Sequence, residues 1–96
     1  MLVLITYDVN TETSEGKRRL RQVAKQCVNY GTRVQNSVFE CHMDAALARK
    51  VKAILAKIID PEKDSLRFYY LGNNFKNKVE HLGVANGVDV TEPLVF

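Results

Sequence analysis

The chain has 96 residues, 46% hydrophobic and 26% charged, a composition that fits one globular domain and excludes a disordered chain. Its longest apolar run, Leu2–Ile5, is too short to span a bilayer, and no basic segment precedes it as in a secretory leader, so the cytoplasm is the expected location. The net charge of +3 is unevenly spread: Lys17, Arg18, Arg19, Arg21, Lys25 and Arg33 form one acid-free stretch, and Arg49, Lys50, Lys52 and Lys57 form a second.

Residues Leu2 to Val9 are apolar or β-branched without alternation, which predicts a central strand buried on both faces. The polar segment Asn10 to Ser14 then offers N-caps. Leu20, Val23, Ala24, Cys27 and Val28 recur at the spacing of an amphipathic helix, with Arg18, Gln22, Lys25 and Asn29 opposite and Gly31 as the stop. Thr32 to Met43 is rich in β-formers and breaks at Asn36-Ser37 into two short strands. Asp44 caps a second helix with Leu47, Val51, Ile54, Leu55 and Ile58 on one face, ended by Pro61. Leu66 to Leu71 reads as a strand stopped by Gly72-Asn73-Asn74, Val79 to Leu82 as a further short strand, and Ala85-Asn86-Gly87 as a turn.

Strand, helix, two strands, helix, strand is the order of the ferredoxin-like βαββαβ fold, an α+β class with a four-stranded antiparallel sheet and two helices on one face. One domain over 1–96 is expected, with its core in about 1–82 and an extension over 83–96. The extension ends on apolar Leu94, Val95 and Phe96. Chain ends fray unless tied down, so these residues dock either on their own domain or on the sheet edge of a second copy.

Asp8 closes the first strand where the chain leaves the sheet, beside Tyr7. A carboxylate held there suits a hard divalent cation, and equally suits a loop cap. Lys17, Arg18, Arg19 and Arg21 sit at a helix start, where the macrodipole disfavours cations, so an anionic partner explains them better than folding does. Long stems covering the core edge are the competing explanation. Cys27, Cys41, His42 and His81 lack zinc-ligand spacing; Cys41 and His42 point to opposite faces of a strand, and Cys27 reads as core. Phe39, Phe68, Tyr69 and Tyr70 lack the surrounding signature of an RNA-binding sheet, so packing is expected of them.

Four segments in order resemble one family: Tyr7-Asp8-Val9, Val34 to Cys41, Leu66 to Gly72, and Pro93 to Phe96. Together they are similar to the CRISPR-associated adaptation protein family Cas2 across essentially the whole chain. The resemblance implies a homodimer that exchanges a C-terminal strand through Leu94, Val95 and Phe96. It implies partnership with the Cas1 integrase in spacer acquisition, and endonuclease or endoribonuclease activity on double-stranded DNA or single-stranded RNA with magnesium or manganese. The family's catalytic metal ligand falls on Asp8, and its nucleic-acid positions fall on or near Tyr7, Lys17, Arg18, Arg19, Arg33 and Phe39. Lys17 stands where an arginine is common. A non-catalytic DNA-binding scaffold, a related toxin-like ribonuclease and a metabolite-binding regulator are the alternatives.

Overall fold

The computed structural model describes residues 1–74, 78–80 and 82. The first strand, β1 (Leu2–Asp8), is followed by α1 (Ser14–Tyr30), β2 (Thr32–Gln35), β3 (Val38–His42), α2 (Ala45–Ile58) and β4 (Ser65–Gly72). β1 pairs antiparallel with β3 on one side and β4 on the other, giving the sheet order β2-β3-β1-β4. This is the expected ferredoxin-like arrangement. Ladder partners flank β1 on both sides, with Ile5 between Phe39 and Phe68, but burial on both faces is not found: Leu4 and Thr6 are half-buried and Asp8 is exposed, because both helices pack on the other face.

Val3, Ile5, Tyr7 and Val9 join Phe39, Cys41 and Met43 of the sheet side with Val23 and Cys27 of α1 and Ala48, Val51 and Leu55 of α2 in one buried cluster. By the two-residue period, Leu4, Thr6 and Asp8 face the other way, away from the helices. Both helices begin on the expected kind of cap. Thr13 Oγ1 accepts from the Gly16 N–H at 3.0 Å, and Asp44 Oδ1 accepts from the Leu47 N–H at 2.8 Å. α2 stops at Ile58 with Ile59 extended, ahead of Pro61.

Two further expectations change. Val28 is 58% exposed, because α1 is rotated so that Gly16, Val23 and Cys27 face inward and the buried stripe misses Val28. Val79, Glu80 and Leu82 are not in a strand; alternation alone does not hold a strand without a ladder partner, and Leu82 is largely exposed. Gly31 ends α1 as expected, with an extended backbone at φ −157. Glycine is required there for space: a β-carbon would overlap Cys41 Sγ and lie 2.7 Å from the Glu40 carbonyl oxygen. The Ala85-Asn86-Gly87 turn and the tail residues Leu94, Val95 and Phe96 lie outside the described residues. Among the described residues no helix is long and apolar enough to cross a membrane.

Gly16 is a second close approach. A β-carbon there would overlap the Asn10 carbonyl oxygen, so the β1–α1 loop rests directly on the first turn of α1. Gly16→Ala is therefore expected to cost about 1–3 kcal/mol by overpacking, although alanine is the better helix former. The measurement is the urea midpoint at unchanged slope. A midpoint equal to that of the parent chain would mean that the loop stands clear of the helix.

Candidate functional site

β1 ends on Asp8, which lies opposite Ser65 of β4. Its carboxylate is exposed on the face turned away from the helices. None of the side-chain hydrogen bonds among the described residues involves it, so the loop-cap alternative does not hold. Magnesium and manganese take oxygen ligands, and magnesium in particular keeps several waters while sharing one or two carboxylates with substrate phosphates. Asp8 fits that pattern as one ligand. Among the described residues no group of three His, Cys, Asp or Glu side chains converges on a metal position. Further oxygens must therefore come from water, from phosphates or from a second copy of the chain.

The loop that leaves Asp8 is tied down by a residue the sequence reading passed over. Asp64 Oδ1 accepts from the Asn10 backbone N–H at 3.0 Å, and Oδ2 accepts from the Asp60 N–H at 2.8 Å. Arg19 donates through Nε to Oδ2 at 2.8 Å and through Nη2 to Oδ1 at 3.4 Å. The Asp64 side chain is 0% exposed and that of Arg19 16%. Burial alone would raise the Asp64 pKa. The Arg19 hydrogen bond and the two backbone N–H groups outweigh it and hold the carboxyl below its usual range. The contribution of this group to stability is thus present above about pH 4 and fades as the pH falls through the lower folded-state value. The sequence carried a hint: the acids Asp60, Glu62 and Asp64 cluster in one loop, and the stretch from Lys17 to Arg33 holds cations without acids.

The expected nucleic-acid set separates by exposure. Lys17 and Arg18 are exposed, as are Arg21 and Lys25, and none of them is ion-paired among the described residues. Arg19 is instead committed to Asp64. Tyr7 and Phe39 are buried core residues, their rings stacked at 6.2 Å between centroids and 21° between planes. Burial raises the Tyr7 pKa, and its hydroxyl donates to the Asn36 carbonyl oxygen at 3.2 Å. Arg33 is exposed at the edge strand β2, opposite Phe39, with its guanidinium carbon 5.1 Å from that ring's centroid. Arg33, Phe39 and Tyr7 therefore form one row, a cation outermost and a phenol innermost.

Cys27 and Cys41 are buried free thiols, pushed up to about 12 and about 11 chiefly by burial. Thiols held protonated in this way are core side chains and poor metal ligands. His42 is exposed on the opposite face from Cys41, as the strand period requires.

Residues 1–79 match the family described as "CRISPR associated protein Cas2". The chain is similar to a CRISPR-associated endonuclease Cas2 of Halalkalibacterium halodurans, with 58% identity over 100% of both chains. It is 55% identical, again over 100% of both chains, to a CRISPR-associated endoribonuclease Cas2 of Chlorobaculum tepidum. The fold is similar to the crystal structure of Streptococcus pyogenes Cas2 at pH 6.5, with a TM-score of 0.75 and 59% identity, covering 86% of this chain and 100% of that one.

Proposed function

The chain belongs to the Cas2 family of CRISPR-associated proteins, and from that premise we propose that it is a metal-dependent phosphodiesterase that cuts a nucleic-acid backbone beside Asp8. The relatives named endonuclease and endoribonuclease support the reaction class. The observation that carries the reading is the uncapped, exposed carboxylate of Asp8 at the end of a rigid central strand. The protein acts in this reading as a cytoplasmic homodimer that partners the Cas1 integrase in spacer acquisition. The exchanged tail through Leu94, Val95 and Phe96 and the residue boundaries of the domain are part of the same proposal.

Asp8 presents one fixed carboxylate for magnesium or manganese, and the second copy supplies another. When bound, such a cation supplies Lewis-acid stabilisation of the phosphate and a water of lowered pKa. The chain's own work is electrostatic. Lys17, Arg18 and Arg33 are exposed and hold phosphates by charge, without reading bases, so binding to double-stranded DNA or single-stranded RNA weakens steeply with salt.

A second reading, a DNA-binding scaffold without chemistry of its own, is favoured by the lack of a three-ligand cluster among the described residues. One assay separates the two. Purified protein incubated with RNA and with duplex DNA is expected to cleave in magnesium or manganese and to stop in EDTA. Cleavage that persists in EDTA would remove the metal from the proposal. Salt-dependent DNA binding with no cleavage in either metal would leave the scaffold.

A further inference from the structure

Two features of the structure converge on the turn after Asp8. First, the turn is tied from below: the Asn10 N–H donates to buried Asp64, and the Asn10 carbonyl oxygen lies against Gly16. Second, Asp64 directly precedes Ser65, the ladder partner of Asp8. The same carboxylate also takes the Asp60 N–H and the Arg19 guanidinium, so the turn after β1, the start of α1 and the entry to β4 meet on one buried side chain.

We propose that Asp64 is a positioning residue for Asp8: its buried carboxylate fixes the β1–α1 turn through Asn10 and so holds the Asp8 carboxylate at one place on the sheet end. This rests on the reading of Asp8 as the reactive carboxylate. The geometry assigns Arg19 to the same task. Its charge keeps Asp64 ionised and its fork fixes the carboxylate plane, which leaves Lys17 and Arg18 as the phosphate-facing cations of the helix start. An orienting group that never touches substrate acts on the rate of the bound complex more than on binding, because a displacement of about 1 Å at the reacting carboxylate is worth up to about a hundredfold in rate.

The test uses the full-length chain. In Asp64→Asn one oxygen becomes an amide nitrogen, a donor facing the donors of Arg19 and Asp60 or of Asn10. Amide hydrogen exchange at Asn10, which needs no activity, is expected to accelerate about tenfold or more while core amides of β1 stay protected. Cleavage is expected to lose about tenfold to a hundredfold in kcat with KM within about twofold. Manganese alone, titrated by its broadening of signals around Asp8, is expected to bind more weakly. Arg19→Lys, which leaves in place both backbone N–H donors and the Asp64 oxygens that accept from them, guards against a variant that does not fold: it should show the same kcat loss in milder form. A folded Asp64→Asn variant with Asn10 protection and kcat both at parent values overturns the proposal. So does an Arg19→Lys variant whose only change is a raised KM, which would make Arg19 a phosphate ligand. If the parent chain itself does not cleave, the nuclease reading falls. The positioning claim is then decided by Asn10 exchange and manganese binding, and unchanged values of both in Asp64→Asn overturn it.

Discussion

Replacing Phe39 by alanine is expected to lower stability by about 3–5 kcal/mol. The ring is 0% exposed and stands at the centre of the sheet's helix-facing side, opposite Ile5 and stacked on Tyr7. Its removal leaves a cavity walled by a ladder that is fixed on both sides, so little collapse can refill it. A loss of that size is a large fraction of the roughly 5–15 kcal/mol that holds a domain together. The check is a urea melt followed by circular dichroism, paired with Phe39→Leu, which retains most of the buried volume and should stay folded. If Phe39 stacked on bases, the leucine variant would lose nucleic-acid affinity with its fold intact. A parent-like midpoint for Phe39→Ala would contradict the core assignment outright.

Asp8→Asn should do the reverse: no change in fold and loss of cleavage by at least about a hundredfold. The amide keeps the shape and removes the charge that recruits a divalent cation. Because the side chain is exposed and makes no hydrogen bond among the described residues, the substitution should move stability by no more than about 0.5 kcal/mol. Cleavage kinetics and a thermal melt on one preparation read both effects. Full metal-dependent activity in the purified variant, free of contaminating nuclease, would place the chemistry elsewhere. Unfolding of the variant would instead reveal a structural contact that the monomer does not show.

The order of elements was legible because each carries its own period. β1 reads as a strand from eight residues, and the helices announce their first turns through the polar run Asn10 to Ser14, which holds the Thr13 cap, and through Asp44. Side-chain partnerships across long stretches of chain were not legible. Arg19 and Asp64 are 45 residues apart, and nothing local marks which of four neighbouring cations turns inward. Gly16 carries no local mark of its role, since only the fold brings the Asn10 carbonyl against it. Tyr7 lies beside Asp8 in one family segment and Phe39 in another, so the resemblance placed both with the nucleic-acid positions. Alternation puts Tyr7 and Asp8 on opposite faces, one in the core and one in solvent. Val28 failed for a smaller reason: a helical stripe is defined by its centre, and the buried line through Gly16, Val23 and Cys27 leaves Val28 beyond its edge.

If Arg33 holds a phosphate backbone, as proposed, the Arg33–Phe39 row bears on how tightly it does so. A free arginine on a surface samples many rotamers, and stilling such a side chain on association costs about 0.5–1.5 kcal/mol. Here the guanidinium lies over a ring that cannot move, 5.1 Å from its centroid, so much of that freedom is already gone before any ligand arrives. In that reading the aromatic raises affinity without touching nucleic acid, by lowering the entropy that the outermost cation has left to lose.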